Sequence, residues 1–420
     1  MSVLIFHPSV APHVQQAART LAENGQLARF ITSVRDDPGS LRQRLLAAVG
    51  RIGGLRLDRE FARRAVAAVP PALIESHPWG ELLRVAVARI DRDQRLSDFV
   101  WERTEYGFDR MVARRLSPAL TGVYGFESSC LATFQRARAL GLRRAYEVPA
   151  PEPQFMQDVF DAEAEKVPEL RTAYHRYTAV REEERIARRR LEWHHASVIV
   201  VASQFTRNSY ARAGLDTSRV RVVPLGAPPP IAREGLPRPG GGGPLTFLWA
   251  GGFNARKGAH YLLDAWRQAK PGRQARLLVF GAVHLPDRLL RPLPDGVELR
   301  GSVPRAELME HYQQSDALIF PTLCDGFGMV ATEAWSRGLP VIMTDCAGAA
   351  DLLQPGRNGL LIRPASADSI AGALQWCLEH RPELAAMRED ALATAARWQW
   401  SDYRRALAGV LRDAGMFSSP

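Results

Sequence analysis

Leu245-Thr246-Phe247-Leu248-Trp249-Ala250 runs directly into Gly251-Gly252-Phe253-Asn254-Ala255-Arg256-Lys257-Gly258, and a helical pattern opens at Ala259. A short apolar run bounded by glycines predicts a buried strand over 245–250, and the spacing that follows predicts a helix over 259–268. Glycines at such a strand-to-helix turn let the backbone approach a ligand closely, and a helix N-terminus attracts phosphate. Arg256 and Lys257 side by side suit a diphosphate, one as a planar fork and the other as a point charge. The turn has neither the G-x-G-x-x-G of a dinucleotide fingerprint nor the Gly-Lys-Ser/Thr of a Walker A loop. Lys257 is one of only three lysines, with Lys166 and Lys270, in a chain that otherwise uses arginine. That scarcity favours a role needing an ammonium; the plain alternative is a solvated turn with incidental charges.

Outward from this turn the same alternation continues. Strands are expected at 277–280, 317–320, 340–344 and 360–362, and helices at 305–313, 329–336, 366–380 and 383–396. Before it, Val3–Phe6, Ala28–Thr32, Gly122–Gly125, Ala145–Val148, Val198–Ala202 and Arg219–Val223 read as strands. Between these lie helical stretches at 10–23, 40–70, 80–117 and about 155–195. Alternating strands and helices imply parallel sheets covered on both faces. Pro224–Pro244 holds seven prolines and six glycines, a density that sustains neither helix nor central strand. It is read as a linker between two α/β halves that face each other across a cleft.

Composition narrows the class. A chain of 420 residues predicts two or three domains. With 46 % apolar and 24 % charged residues it is globular in type. Four scattered cysteines without a C-x-x-C pair exclude a disulfide scaffold and a zinc knuckle, and a reducing cytoplasmic location is the default expectation. No apolar run reaches the length of a spanning helix. The net charge of +10 is uneven: Arg35–Arg64 holds eight arginines against four acids. The ordinary reading of that stretch is a solvated helix face; the other is a peripheral segment on anionic lipid. No nucleic-acid-binding pattern is present, so no nucleic-acid partner is expected.

The second chemical motif is Asp325-Gly326-Phe327-Gly328-Met329-Val330-Ala331-Thr332-Glu333. Asp325 falls in the loop after a strand, at the C-terminal edge where open α/β sheets bind ligands. The amides of Gly328, Met329 and Val330 open a helix and suit an anion. Two carboxylates nearby suit polyhydroxyl partners, a sugar for Asp325 and a ribose for Glu333. Taken singly, Asp325 could be a turn former and Glu333 a helix-surface acid. Asp91-Arg92-Asp93 spells an acidic triplet known from metal-dependent transferases of another fold, but it falls in a helical stretch and is given no metal role.

Gly252…Arg256-Lys257-Gly258, Asp325-Gly326-Phe327-Gly328…Glu333-Ala334, Gly338-Leu339-Pro340-Val341-Ile342 and Pro355-Gly356-Arg357-Asn358-Gly359 together resemble a large glycosyltransferase family. It is the retaining family of GT-B fold typified by bacterial α-mannosyl- and α-glucosyltransferases (family 4). Ala202-Ser203-Gln204-Phe205 and Trp398-Gln399-Trp400-Ser401 extend the likeness, which spans about residues 197–401. The resemblance implies two Rossmann-like domains: an acceptor-binding domain over 1–225, a linker over 226–244, a donor-binding domain over 245–397, and a C-terminal helix over 398–420 that returns to the first domain.

It further implies a nucleotide-sugar donor, UDP- or GDP-linked, and a glycan or lipid-linked glycan acceptor, without cofactor or metal. Arg256 and Lys257 would contact the diphosphate, with Gly252, Phe253 and Asn254 shaping the turn. Asp325 and the backbone of Phe327, Gly328 and Met329, extended by Val330, would meet the sugar. Glu333 would take the ribose, and the loop around Val303 would read the base. Three departures stand out. Asp325 replaces the usual glutamate, Arg256 stands in for an arginine nearer Phe253, and Ser9-Val10-Ala11-Pro12-His13 replaces a Gly-Gly loop. Glu147, at a strand end of the first domain, is the expected extra polar group of the active site; its alternative is a solvent-facing carboxylate. Two other functions stay open: a GT-B-fold nucleotide-sugar epimerase, and a non-catalytic nucleotide-sugar-binding scaffold.

Overall fold

The computed structural model describes residues 2–35, 66, 69–91, 93–236 and 243–417. Its first sheet contains β1 (Val3–Phe6), β2 (Leu27–Thr32), β3 (Ile74–Ser76), β4 (Gly122–Phe126), β5 (Arg143–Val148), β6 (Val198–Val201) and β7 (Val220–Val222). Its order is β3-β2-β1-β4-β5-β6-β7, and every pairing is parallel. The second sheet contains β8 (Leu245–Ala250), β9 (Ala275–Phe280), β10 (Val297–Gly301), β11 (Ala317–Phe320), β12 (Val341–Met343) and β13 (Gly359–Leu361). It runs β10-β9-β8-β11-β12-β13, again all parallel. Strands such as Val-Leu-Ile-Phe and Val-Ile-Val-Val are buried along their whole length, as a sheet covered on both faces requires.

The first domain's helices are α1 (Pro12–Glu23), α2 (Trp79–Ile90), α3 (Arg95–Ala113), α4 (Leu131–Ala139), α5 (Pro153–Lys166), α6 (Ala173–His195) and α7 (Gln204–Arg212). Then follow α8 (Ala259–Ala269), α9 (Asp287–Leu290), α10 (Arg305–Gln314), α11 (Met329–Trp335), α12 (Ala367–Glu379), α13 (Arg381–Arg397) and α14 (Trp400–Asp413). One face of the first sheet packs Val3, Ile5, Tyr124 and Ala145 against α1 and, from the far end of the chain, Tyr403, Leu407 and Leu411 of α14. The other face packs Phe6, Phe134 and Tyr146 with Phe108 and Trp193. In the second domain Leu262, Trp266, Ile370 and Leu374 cover one sheet face, and Tyr312, Trp335 and Ala391 the other.

Several expectations change in detail. The helical stretch around 155–195 is broken: Pro168 opens a single 3-10 turn between α5 and α6. The break lets Ala164 and Leu170 enter the second domain's core. There the Glu163 carboxylate meets His260 Nε2 at 3.1 Å across the domain boundary. Two edge strands were missed, β3 and β10. The first is only Ile-Glu-Ser, and the second, Val-Glu-Leu-Arg-Gly, shows mostly polar or exposed residues.

The described part of the Pro/Gly-rich stretch is a strap rather than a loose connection. Leu225 and Ala227 are buried, Ala227 pairs with Gln399, and the Ile231 amide donates to Ser336 O at 3.0 Å. A Cβ on Gly226 would lie 2.3 Å from the Trp400 amide nitrogen, so only glycine lets the strap pass under α14. Arg35 falls inside the described residues; the rest of the arginine-rich stretch to Arg64, and most of the 40–70 helical expectation, lie outside them.

Candidate active site

The site is built at the C-terminal edge of the second sheet, where the loops after β8 and β11 meet. After β8 the chain makes a single 3-10 turn, Ala255–Lys257, capped by Asn254, whose Oδ1 accepts from the Lys257 amide at 3.0 Å. Gly258 closes it at φ +78°, with its missing Cβ 2.1 Å from where Pro321 O stands. Any side chain there would push the turn off the β11 loop. The turn is also tied down from below, because the Leu323 amide donates to Arg256 O at 2.9 Å.

These constraints aim two cations at one carboxylate. Lys257 Nζ lies 3.7 Å, and Arg256 Nη1 3.8 Å, from Asp325 Oδ2. Arg256 Nη1 also donates to Cys324 O at 2.5 Å. Burial pushes the Lys257 pKa down, Asp325 pulls it back up, and the neighbouring Arg256 lowers it further. Asp325 is held by its own backbone, its amide donating to Cys346 O at 2.9 Å and its Oδ1 accepting from the Phe327 amide at 3.3 Å. Next to it Gly328, at φ +84°, begins α11. The first amides of a helix have no intrahelical acceptor, so Met329 and Val330 present donors beside the two cations.

Glu333 sits one turn further along α11 and is only 8 % exposed. Its Oε1 receives Arg305 Nη2 at 2.8 Å, and its Oε2 accepts from Tyr312 Oη at 3.4 Å. Burial raises its pKa, against the charge of Arg305, the Tyr312 hydrogen bond and the charge of Arg337. Val303, in the loop leading into α10, packs against the adjacent core. The structure therefore brings Arg256, Lys257, Asp325, Glu333 and the start of α11 to one sheet edge, with the Val303 loop beside Glu333. Arg305 was not singled out in the sequence, although it directly follows the Gly301–Pro304 loop.

One expectation is corrected, that for Glu147, and two aromatic side chains are placed away from any ligand. The Phe253 side chain is fully buried, edge-on to Trp249 at 4.8 Å, and offers a ligand only its backbone. Phe327 is likewise buried, packed with Tyr403 and Leu407 in the first domain's core. Glu147 is not a cleft-facing group. It is 3 % exposed, and its two oxygens accept from Tyr124 Oη at 2.6 Å and Tyr403 Oη at 3.2 Å. Residues 145 and 147 point to the sheet face that α14 covers, which shuts the carboxyl in and raises its pKa to about 7. Gly252 lies beside the His284 ring, which a Cβ would meet at 3.5 Å. Among the described residues no three His, Cys, Asp or Glu side chains gather as a metal ion would need.

The two domains touch at this edge. A Cβ on Gly326 would lie 1.8 Å from Pro149 O at the end of β5, and Ser203 Oγ, the N-cap of α7, donates to Gly326 O at 2.6 Å. The Asp325–Gly328 loop of one domain is thereby seated on the strand ends of the other.

Residues 244–380 match the family described as glycosyl transferases group 1. A D-inositol 3-phosphate glycosyltransferase of Acidothermus cellulolyticus is 28% identical over 252 residues, 52% of this chain and 55% of that protein. D-inositol 3-phosphate glycosyltransferase 2 of Catenulispora acidiphila is 30% identical over 220 residues, 49% of this chain and 50% of its own. The chain thus spans about half the length of these curated relatives. Solved structures align over almost the whole chain. An α,α-trehalose-phosphate synthase (UDP-forming) from Burkholderia vietnamiensis gives a TM-score of 0.63 at 14% identity, covering 100% of this chain and 99% of its own. Anabaena HepE in complex with UDP and glucose gives 0.61 at 14% identity, covering 98% and 99%. The fold is GT-B, two parallel-sheet α/β domains, and its second domain carries the glycosyl transferases group 1 match.

Proposed function

We propose that the chain is a retaining, metal-independent glycosyltransferase. It would move a sugar from a UDP- or GDP-linked donor to a glycan or lipid-linked glycan, in cell-surface polysaccharide or glycolipid synthesis. One observation carries the reading: Arg256 and Lys257 converge on Asp325 at the start of α11. A diphosphate lying across that turn meets two cations and the first helix amides, while Asp325 faces the sugar. Negative charge grows on the diphosphate as the bond to the sugar breaks, so these groups act most strongly in the transition state. Glu333 takes the ribose hydroxyls. The acceptor attacks from the leaving-group face, and configuration is retained.

The Arg35–Arg64 stretch would hold the chain at the anionic cytoplasmic face of a membrane. Among the described residues no helix is long and apolar enough to cross one. Flotation with anionic vesicles tests this part, and unchanged binding after neutralising those arginines refutes it. The reaction is tested by following nucleotide release from UDP- and GDP-sugars with and without glycan acceptors, and the product anomer by NMR. Acceptor-dependent release with a retained anomer is expected. Donor conversion without release would indicate an epimerase, and tight donor binding without turnover a scaffold.

A further inference from the structure

A cavity of about 280 Å³ lies away from the cation pair, in the first domain. Its floor is Pro8, Ser33 and His77, the residues just beyond β1, β2 and β3, and its walls come from α2 and α3. It therefore occupies the C-terminal edge of the first sheet, the edge at which open α/β sheets take ligands. Two glycines shape it. Gly80 brings α2 close onto α3, since a Cβ there would meet Thr104 Cβ at 3.3 Å, whereas a Cβ on Gly107 would meet nothing within 4 Å, leaving a notch.

We infer that this cavity is a distal acceptor subsite that binds an uncharged sugar ring through the Glu105 carboxyl, opposite Trp79. The inference rests on the glycosyltransferase reading above. Glu105 lines the cavity, and among the described residues it has no hydrogen-bond or ion-pair partner. Largely enclosed carboxyls normally find donors; here burial, against the charge of Arg84 and helped by those of Glu81 and Glu192, pushes the group up to about 7. The cation beside it, Arg84, is committed to Glu81 through two 2.8 Å hydrogen bonds. Sugar hydroxyls would supply the missing donors, and Trp79, 68 % exposed, supplies an apolar wall. No Arg or Lys is among the described residues that line the cavity, and Arg84 is held by Glu81, so a phosphorylated ring would bury its charge without a partner, which selects against it.

The position also sets the acceptor's length. The donor loop touches the first domain at Pro149, the end of β5. From β5 through β4 and β1 to β2 is three strand steps, about 14 Å at ordinary interstrand spacing. A ring in the cavity is therefore not the ring that reacts, and the acceptor must extend beyond it.

The test uses the full chain saturated with UDP and saturation-transfer NMR with maltotriose, mannotriose, chitotriose, their monosaccharides and mannose 6-phosphate. At least one trisaccharide should bind, more tightly than its monosaccharide and than the sugar phosphate. Glu105→Gln and the notch-filling Gly107→Leu should each weaken it about tenfold while leaving UDP affinity unchanged. Should one variant fail to fold, the other decides. The inference is overturned if UDP binds and no trisaccharide does, if both variants bind trisaccharide like the native chain, or if the sugar phosphate binds best. If UDP does not bind, GDP takes its place; absence of binding by both instead refutes the donor reading, and the two variants still decide the cavity.

Discussion

Replacing Glu147 by glutamine should stabilise the protein at alkaline pH and leave its chemistry intact. The carboxyl is enclosed between Tyr124 and Tyr403, and burial raises it to about 7 despite both hydroxyls donating to it. In the unfolded chain it titrates near its ordinary value of about 4.3. A raised folded pKa means that the group's contribution to stability is full below the unfolded value and is lost as pH rises through the folded one. Between pH 5 and pH 8 the loss should be about 2.5 kcal/mol, a pKa difference of about 2.7 units converted by linkage and reduced by the parts lost below pH 5 and above pH 8. Glutamine has no charge to bury and can still hydrogen-bond both tyrosines, so the variant should not show that loss. Urea unfolding of both proteins across this range measures the difference directly. Parallel stability profiles would refute the buried-acid reading. So would abolished turnover in a variant that keeps native stability, because Glu147 would then act in the cleft after all.

Three other substitutions probe the remaining parts. Lys257→Ala should lower turnover by about 10²–10³-fold while its melting temperature stays close to native; equal losses of both would make Lys257 structural. Arg305→Ala leaves Glu333 buried without its ion pair. Calorimetry should then find weaker UDP binding and a smaller preference for UDP over 2′-deoxy-UDP, partly restored by Arg305→Lys; an unchanged preference would remove Glu333 from ribose recognition. Glu163 is held at about 2, burial being outweighed by hydrogen bonds from His260, Lys166 and Tyr261. A depressed pKa gives stability that is present above the unfolded value and lost as pH falls through 2, here about 3 kcal/mol. Unfolding curves at neutral and acid pH should therefore converge with those of Glu163→Gln only in acid.

The sheet pattern was legible because its strands are short, apolar and punctuated by glycine, so the order of elements could be read without any contact information. What periodicity does not carry is long-range pairing. Nothing in the run from Phe155 to His195 shows that Leu170 leaves its own domain for the core of the other. β3 and β10 were invisible because edge strands need no apolar alternation. At the site, residues within one turn of each other were readable: Arg256 and Lys257 with the helix-opening glycine, and Asp325 ahead of α11. Glu147 was misread because its two partners lie 23 and 256 residues away, and a strand-end carboxylate looks the same in sequence whether it faces water or a tyrosine pair. Arg305 was missed for the converse reason: an exposed helix-start arginine is ordinary until Glu333 is seen beside it.

The central claim is that the Arg256–Lys257 turn and Asp325 form a nucleoside-diphosphate site. Titration calorimetry of the full chain and of Lys257→Ala with UDP, GDP and ADP tests it most directly. The account predicts that the native chain binds at least one of the three and that the variant binds it at least about tenfold more weakly. No binding by the native chain, or equal binding by the two proteins, would contradict it.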